Sequence, residues 1–303
     1  MRFTFLGTGT SAGIPAIACD CAVCTSADPH DQRLRTGAAL EWTDPDGRPR
    51  TVLIDAGPDL RTQALRAGLK RCDAILFTHN HVDHTFGLDE VRRFNAVQKT
   101  PIDIFAEPHT MEHLQRIYKH IFDKAANIND SFVATLLPRL VKPGEPIDLW
   151  GVRFTPIRLI HGKLPIVGFR ISDERRVKSD EREGQKTPTP GLVARTSSLV
   201  AASPFPLAYC TDVSAIPPES YPLLRGLNTL VLDALRHRRH PTHLTVEQAV
   251  EIAHQVGAPR TYFIHIAHDL HHAETNAALP EGMQLAHDGL VLAAPPSEPI
   301  DIT

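Results

Sequence analysis

The 303-residue sequence predicts an α/β protein. Short apolar runs typical of strands recur along its length, and segments with the apolar spacing of helices lie between them. The composition, with 42% hydrophobic and 22% charged residues, is ordinary for a globular protein and argues against global disorder. The length is compatible with one domain or two. We expect one domain over 1–303, because metal-ligand types of residue occur on both sides of the least regular segment.

The first part of the chain is predicted to form strands and then a helix. Arg2–Leu6 is a short strand before a glycine-rich turn, and 36–42 and 51–55 form a hairpin around a turn with Asp, Pro and Gly. A helix begins near Asp59 and ends at Gly68, since glycine readily takes the left-handed conformation that often follows a helix.

The rest of the chain alternates between strands and helices. Residues 108–125 have the spacing of an ordinary amphipathic helix, and we assign no chemistry to its His109, His113 and His120. Residues 173–198 are charged and rich in Pro, Ser and Thr, which predicts a surface insertion. The remaining predicted elements are strands at 152–160, 166–171, 206–211, 229–233 and 260–266, and a helix at 245–257 with Thr245 as its N-cap.

Charge, apolar runs and cysteine usage exclude several classes of protein. The 32 basic residues nearly balance 35 acidic ones, giving a formal charge of −3, so we expect no nucleic-acid partner. No apolar run reaches the roughly 18 residues that a membrane span needs, and the N-terminus has no signal-peptide pattern. We therefore expect a cytoplasmic protein that binds no membrane. Its five cysteines are then not a disulfide framework.

The strongest local signal is the motif His79-Asn80-His81-Val82-Asp83-His84, which directly follows the apolar run ILFT. Burying that many polar rings without partners would cost about 1–3 kcal/mol each. Neutral imidazoles and carboxylates are the usual ligands of zinc and related divalent ions. The motif therefore predicts a metal site, and the alternative interpretation is an exposed polar loop.

This HxHxDH motif after a strand resembles the metal motif of the metallo-β-lactamase superfamily. The resemblance implies a four-layer αββα sandwich with a two-metal site on loops at one edge of the two sheets. His161, Asp212 and His265 match the later positions of the pattern, each at the end of a predicted strand. The resemblance implies one divalent ion, zinc or manganese, held by His79, His81 and His161, and a second held by Asp83, His84 and His265, with Asp212 bridging them.

A second signal is the CxCxxC motif of Cys19, Cys21 and Cys24. Thiolates bind zinc tetrahedrally with a fourth ligand, and free thiols are the alternative interpretation. The segment resembles the start of the cyclic-phosphate phosphodiesterase branch of the superfamily, typified by phosphoribosyl 1,2-cyclic phosphate phosphodiesterase. That resemblance implies a third, structural zinc ion whose fourth ligand is His268, three positions after His265.

A third signal is His243, which immediately precedes the helix predicted at 245–257. An imidazole titrates near neutrality and can protonate a leaving alkoxide, whereas the alternative is a helix-capping or exposed histidine. The resemblance implies that His243 is a general acid or a phosphate ligand. Arg236 and His240 are further candidates for contact with a substrate phosphate, and Asp233 for orienting a metal ligand.

Together these residues predict a phosphodiesterase that hydrolyses a small cyclic phosphate or phosphodiester. Two divalent ions would lower the pKa of a shared hydroxide, the nucleophile, and neutralise phosphoryl charge, with His243 as the proton donor. Asp83 is counted as catalytic with His243, because its carboxylate limits the net charge of the metal pair. The alternatives are a tRNA 3′-end processing nuclease and a non-catalytic metal-binding scaffold. By analogy with the superfamily, we also expect a homodimer.

Overall fold

Fourteen strands form two sheets in the part of the chain that the computed structural model describes, residues 1–128, 131–173 and 203–293. The seven strands of the first sheet are β1 (Arg2–Gly7), β2 (Gly37–Thr43), β3 (Pro49–Ile54), β4 (Ala74–Leu76), β5 (Ile102–Ala106), β6 (Leu136–Leu140) and β14 (Val291–Ala293). Their order is β14-β1-β2-β3-β4-β5-β6. Pairing is antiparallel from β14 to β3 and parallel from β3 to β6.

The second sheet has a similar mixture of pairings. Its strands are β7 (Ile147–Leu149), β8 (Val152–His161), β9 (Leu164–Asp173), β10 (Leu207–Cys210), β11 (Thr229–Asp233), β12 (Thr261–Ile264) and β13 (Met283–Leu285). Their order is β13-β12-β11-β10-β9-β8-β7. Pairing is antiparallel from β7 to β10 and parallel from β10 to β13.

The described residues also form seven α-helices. They are α1 (Leu60–Arg66), α2 (Val82–Thr85), α3 (Arg92–Gln98), α4 (Pro108–Ile117), α5 (Lys119–Phe122), α6 (Val246–Val256) and α7 (His272–Ala278). As predicted, α6 is capped by Thr245, whose hydroxyl accepts from the N–H of Gln248 while the Gln248 side chain accepts from the N–H of Thr245. The helix ends at Gly257, whose φ of 68° lies in the left-handed region.

Alternating side chains on the strands build three apolar layers. In β3, Val52 and Ile54 lie in the core between the two sheets, whereas Leu53 lies in an outer core that includes residues of α1. In β10, Tyr209 belongs to the central core and Cys210 to a second outer core, which includes residues of α6. Helices therefore cover the outer face of each sheet, and the four-layer αββα sandwich is confirmed.

The segment 108–125 differs from its prediction. It forms α4 and α5 with a break at Tyr118, whose φ and ψ of −98° and 39° lie outside the helical region. The Tyr118 hydroxyl donates to the carbonyl oxygen of Thr85 in α2 at 3.0 Å. The break therefore coincides with a tertiary hydrogen bond. The strands β5 and β6 lie in a stretch for which the sequence predicted none.

Two other expectations concern the chain outside the sheets. The insertion predicted at 173–198 lies outside the described residues, apart from Asp173, which ends β9. Among the helices of the described residues, none has the length and apolar character needed to cross a membrane.

Candidate metal centre

The predicted metal ligands converge where strands of both sheets end. β8 and β10 run in the same direction, because each is antiparallel to β9. His161 ends β8, Asp212 follows β10, and His265 follows β12. The loop after β4 brings the motif at 79–84 to the same edge. The carboxyl ends of strands are the usual place for ligands in open α/β sheets.

One group of three imidazoles belongs to His79, His81 and His161. A ligand atom of each lies within 4.8 Å of the others, and the ring centroids are 4.6, 5.0 and 5.6 Å apart. The Nδ1–H of His161 donates to the carbonyl oxygen of Thr242 at 2.7 Å, which leaves a lone pair on Nε2. The Nε2 of His79 is buried and has no hydrogen-bond partner. These three side chains could hold one divalent ion.

A second group consists of four buried side chains whose ligand atoms also lie within 4.8 Å of one another: Asp83, His84, Asp212 and His265. His84 Nε2 is 3.2 Å from an oxygen of Asp83 and 3.2 Å from one of Asp212, and His265 Nε2 is 3.1 Å from Asp212. Neither Nε2 forms a hydrogen bond in these contacts. Asp212 Oδ1 is also 4.0 Å from the Nε2 atoms of two histidines in the first group. Asp212 therefore lies between the two groups.

The charge states of these side chains suit divalent cations. Burial raises the pKa of Asp212, but His265 and His84 more than offset this, and its pKa lies well below the ordinary value. Burial lowers the pKa of His79 well below its ordinary value and that of His161 to about 4. At neutral pH His79 and His161 are therefore neutral. Burial lowers the pKa of His84 and His265 as well, but Asp212 and Asp83 more than offset this and raise both values, so these two rings bind a proton that a metal ion would displace. With the unpartnered Nε2 atoms, this is a donor set for divalent metal ions.

Asp55 accepts a hydrogen bond from His84, and the sequence analysis did not identify Asp55 as a site residue. The carboxylate is buried and accepts the Nδ1–H of His84 at 2.7 Å on Oδ2. It also accepts the hydroxyl of Thr78 on Oδ2 and the N–H of Thr78 on Oδ1, both at 2.8 Å. A carboxylate at Nδ1 fixes Nε2 as the nitrogen that can bind a metal. The available signal was an acidic residue directly after the apolar strand that ends at Ile54.

Two glycines let the loop after β3 pack directly on α2. A Cβ on Gly57 would lie 2.1 Å from the carbonyl oxygen of Asp83, and one on Gly87 would lie 1.9 Å from that of Gly57. The N–H of Ala56 donates to the carbonyl oxygen of His84 at 2.8 Å. This close backbone contact holds α2 and, with it, the side chains of Asp83 and His84.

His243 lies beside both groups, with its ring centroid 4.7 Å from that of His161 and 4.6 Å from that of His265. Its Nδ1–H donates to Asp233 Oδ2 at 2.7 Å. Burial, together with His265, lowers the pKa of His243 to about 3, so the ring is neutral at neutral pH. This pKa lies below the near-neutral value that a free imidazole would have, and the role of His243 in proton transfer stays a prediction.

Asp233 orients His243 and not a metal ligand directly. Its Oδ2 atom is 3.8 Å from Nδ1 of His265, which is too long for a hydrogen bond. The sequence had suggested that Asp233 orients one of the ligands, and the hydrogen bond to His243 replaces that interpretation.

The two ligand groups open into a cleft of about 680 Å³. It is lined by Ser11, Asn80, His81, Val82, Asp83, His113, His161, Leu164, Asp212, His243 and His265. His113 of α4 lies on the cleft wall, although the sequence analysis assigned no chemistry to the segment 108–125. The other two histidines of that segment do not line the cleft.

Arg236 and His240 are also absent from the cleft wall. Arg236 donates to the carbonyl oxygen of Arg238 at 3.2 Å. The centroid of the His240 ring lies 5.1 Å from that of His243. Contact of these two residues with a substrate stays a prediction.

A separate cluster of three thiols surrounds one imidazole. The Sγ atoms of Cys19, Cys21 and Cys24 lie 3.1, 3.5 and 3.5 Å from Nδ1 of His268. The backbone N–H of Cys24 contributes most to lowering the pKa of Cys21, to about 7, which favours its thiolate. All four ligand atoms lie within 4.8 Å of one another. The four predicted residues therefore form a Cys3His donor set of the kind that binds structural zinc.

The N-terminal loop that carries these cysteines is tied to the loop after β12. The N–H of Ile266 donates to the carbonyl oxygen of Thr8, and the N–H of Thr10 donates to that of Ile266, both at 3.0 Å. His265 and His268 lie on either side of Ile266. The thiol cluster and the second ligand group are therefore built on one short segment.

A family model described as a beta-lactamase superfamily domain matches residues 50–266. The match contains both ligand groups and His243, whereas the thiol cluster lies outside it. The chain therefore belongs to the metallo-β-lactamase superfamily, whose members are mostly hydrolases.

Solved structures relate the chain to a narrower group. The crystal structure of a diphosphatase from the PhnP family is 41% identical, has a TM-score of 0.78 and matches over 97% of each chain. The protein is thus related to PhnP-type phosphodiesterases. Zn²⁺-bound PqqB from Methylobacterium extorquens has a TM-score of 0.69 at 18% identity, over 97% of this chain and 100% of that one. At that identity the likeness shows the fold alone.

The chain is also similar to curated proteins whose names indicate other activities. An octanoyltransferase from Porphyromonas gingivalis is 33% identical over 294 residues, which is 96% of this chain and 51% of that protein. This chain thus spans about half the length of that relative, and the name does not assign an activity to the matched half. A ribonuclease Z from Parabacteroides distasonis is 23% identical over 273 residues, covering 80% of this chain and 86% of the relative.

Proposed function

We propose that the protein is a metal-dependent phosphodiesterase that hydrolyses a small cyclic phosphate or phosphodiester. The observation that carries the proposal is the position of Asp212 between the two ligand groups, at the floor of a cleft that His243 also lines. Two neighbouring cation sites that share a carboxylate suit in-line displacement at phosphorus. The 41% identity to a PhnP-family diphosphatase supports hydrolysis at phosphorus.

Two divalent ions, zinc or manganese, would be held by the two groups. His79, His81 and His161 would hold one, and Asp83, His84 and His265 the other, with Asp212 in contact with both. When bound, such ions activate water for attack and neutralise charge on the phosphoryl oxygens. The two carboxylates would reduce the net positive charge of the pair.

His243, held in place by Asp233, would supply the proton that the leaving oxygen needs. Asp233 fixes Nδ1 of His243 as a donor, so Nε2 is the nitrogen available at the cleft. Since the resting ring is neutral, Nε2 would take up the proton that the attacking water gives up and would then deliver it to the leaving oxygen. The hydrogen bond to Asp233 stabilises the imidazolium during this transfer, as a carboxylate does for a catalytic histidine elsewhere.

A third ion, zinc, would be held by Cys19, Cys21, Cys24 and His268. Its role would be structural, because all four positions of a tetrahedral site are filled by protein atoms. It would fix the N-terminal loop, including Ser11, against the segment that carries His265.

Hydrolysis of a phosphoanhydride is a second candidate, because the PhnP-family relative at 41% identity is described as a diphosphatase. Attack at phosphorus would be the same, but the leaving group would be a phosphate and would need less help from a proton donor. The reaction therefore depends less on His243 than ester hydrolysis does.

A tRNA 3′-end nuclease is supported by the ribonuclease Z relative. The formal charge of −3 argues against it, because affinity for RNA depends on neutralising many phosphates. A small phosphate ester is therefore the preferred partner.

A substrate panel with protein of measured metal content tests the proposal. The panel contains bis(p-nitrophenyl) phosphate, 2′,3′-cyclic nucleotides, ribose cyclic phosphates, a dinucleoside diphosphate, pre-tRNA, a thioester and a lactam. We expect turnover of a small phosphodiester that disappears after metal removal and returns with zinc or manganese. Turnover of the thioester or the lactam alone would refute the proposal. If no substrate is turned over, the protein is instead a non-catalytic metal-binding scaffold.

His243→Ala tests the proton-transfer role. We expect kcat for a phosphodiester to fall by about 100- to 10,000-fold with bound metal unchanged, because a positioned acid–base group contributes that much. His237→Ala is the matched control, since His237 is exposed and pairs with Glu247 outside the cleft. A wild-type rate for His243→Ala, or loss of metal from it, would remove the role.

A further inference from the structure

Thr78 lies directly before the motif at 79–84, and its backbone is fixed on both sides. Its N–H donates to Oδ1 of Asp55 at 2.8 Å, and its carbonyl oxygen accepts the N–H of Val167 in β9 of the second sheet at 3.1 Å. The residue is buried, and the branch at Cβ limits the positions that its hydroxyl can take. The hydroxyl is therefore held in one place, beside the first candidate ligand of the motif.

The hydroxyl of Thr78 has two polar neighbours and a single hydrogen. Its Oγ1 atom lies 2.8 Å from Oδ2 of Asp55 and 3.0 Å from Nδ1 of His79. Oδ2 also accepts the Nδ1–H of His84, so it carries no proton, and the hydroxyl gives its hydrogen to the carboxylate. Oγ1 then has only lone pairs left for the imidazole, and Nδ1 of His79 must be the donor.

The direction of this hydrogen bond determines the tautomer of His79. With the proton on Nδ1, the lone pair of the neutral ring is on Nε2. That Nε2 atom is buried, has no hydrogen-bond partner among the described residues and lies 4.0 Å from Oδ1 of Asp212. The nitrogen on the side of the other candidate ligands is thus the one that can bind a metal ion.

We propose that Thr78 is a positioning residue for His79, and that one buried carboxylate thereby orients a ligand in each of the two metal sites. Asp55 accepts the Nδ1–H of His84 directly, and it holds the Thr78 hydroxyl so that Oγ1 accepts the Nδ1–H of His79. A partner at the second nitrogen fixes the ring of a metal-binding histidine and strengthens the ligand. The inference rests on the two cation sites of the proposed function and not on the identity of the substrate.

The test compares Thr78→Val, Thr78→Ser and Thr229→Val with the wild type. Valine keeps the shape of threonine and both backbone hydrogen bonds of position 78, but it lacks the hydroxyl. Thr229 is the matched control, because it is also fully buried, while its hydroxyl has no partner among the described residues. It begins β11, whereas Asp233 ends that strand near the site.

The measurements are zinc affinities by competition with a chromophoric chelator, bound zinc, and the thermal midpoint. His81→Ala removes a candidate ligand of the first group only, so it identifies which affinity belongs to the site that contains His79. A purely structural role of Thr78 would lower the thermal midpoint. It would not lower the affinity of one site selectively.

We expect Thr78→Val to lower the zinc affinity of the site that contains His79 by about 10- to 100-fold, the usual effect of losing a supporting contact. The affinity of the site that contains His84 should stay close to wild type, because Asp55 still accepts the Nδ1–H of that ring. Thr78→Ser keeps a hydroxyl and should restore most of the affinity. Thr229→Val should bind zinc as the wild type does.

NMR of the imidazole nitrogens in zinc-loaded, histidine-labelled wild type is a second measurement, and it does not depend on the folding of a variant. We expect the proton of His79 to be on Nδ1 and its Nε2 to be bound to zinc. A proton on Nε2 of His79 would overturn the inference.

Unchanged zinc affinities in Thr78→Val, an equal loss in Thr229→Val, or no recovery in Thr78→Ser would each overturn it as well. Failure of the wild type to bind zinc at the first group would have the same consequence. If Thr78→Val loses affinity as expected but the wild type hydrolyses no phosphodiester, the inference stands and the phosphodiesterase proposal falls.

Discussion

Replacing Asp55 by Asn should weaken one metal site without touching a ligand. In the native site, Oδ1 of Asp55 accepts the N–H of Thr78, and Oδ2 accepts the Nδ1–H of His84. In Asp55→Asn the amide oxygen can replace only one of these acceptors. If it stays with the backbone N–H, the amide NH2 faces Nδ1 of His84. The ring must then carry its proton on Nε2, and it loses the lone pair that would bind the ion.

The size of the effect follows from these contacts. The hydrogen bond from His84 is 2.7 Å long, buried and made to a carboxylate, a class that contributes about 1.5–3 kcal/mol. Loss of such a supporting contact lowers metal affinity by about 10- to 100-fold. A factor of ten corresponds to about 1.4 kcal/mol, so the two figures agree. The loss should be larger at the site of Asp83, His84 and His265, which Asp55 contacts directly, than at the site of His79, which Asp55 reaches only through the Thr78 hydroxyl.

A competition titration with a chromophoric chelator measures this loss site by site. Asp73→Asn is the matched control, because Asp73 is also buried and accepts a backbone N–H, from Thr51 at 2.8 Å, but makes its other contacts with arginines. We expect the control to lose stability and keep both metal affinities. An affinity of Asp55→Asn within twofold of wild type at both sites would refute the reasoning about the His84 tautomer.

Two further predictions concern the thiol cluster and α6. Cys21→Ser should reduce bound metal from about three ions per chain to two and should lower the thermal midpoint. The control Asp20→Asn should change neither quantity. If the serine variant still binds three ions, the Cys3His site is wrong. Thr245→Ala should lower the free energy of unfolding by about 1 kcal/mol in a urea titration, because the Gln248 N–H loses the hydroxyl that accepts it, while the backbone N–H of residue 245 keeps its acceptor. A change below about 0.3 kcal/mol would show that the cap contributes little to stability.

The ligand residues could be predicted because they are marked in the sequence. The motif at 79–84 follows an apolar run, and His161, Asp212 and His265 each stand at the end of another. Period-two alternation in β3 likewise marks which side chains face the core. Local pattern is sufficient where one residue type is required at one place along a strand.

The remaining site residues depend on packing between distant segments. Asp55 is one acidic residue after a strand, and nothing nearby shows that it contacts His84, 29 positions later. His113 follows the spacing of its helix, and only the position of α4 over the cleft distinguishes it from His109. The break at Tyr118 has no glycine or proline beside it and lies where the hydroxyl donates to the carbonyl oxygen of Thr85. These features are properties of the tertiary structure, and a single sequence does not contain their signal.

Backbone geometry gives an independent reason to regard the strand ends as a functional site. Asp55, Asp212 and His265 have φ values of 64°, 58° and 59°, in the left-handed region that residues other than glycine rarely adopt. Such conformations cost about 1–3 kcal/mol each and persist where the surrounding structure demands them. Glycine would relieve the strain at all three positions, but it would remove two candidate ligands and the partner of His84. The chain therefore keeps these side chains at a cost in stability, which is expected if their chemistry, and not the fold, determines the choice of residue.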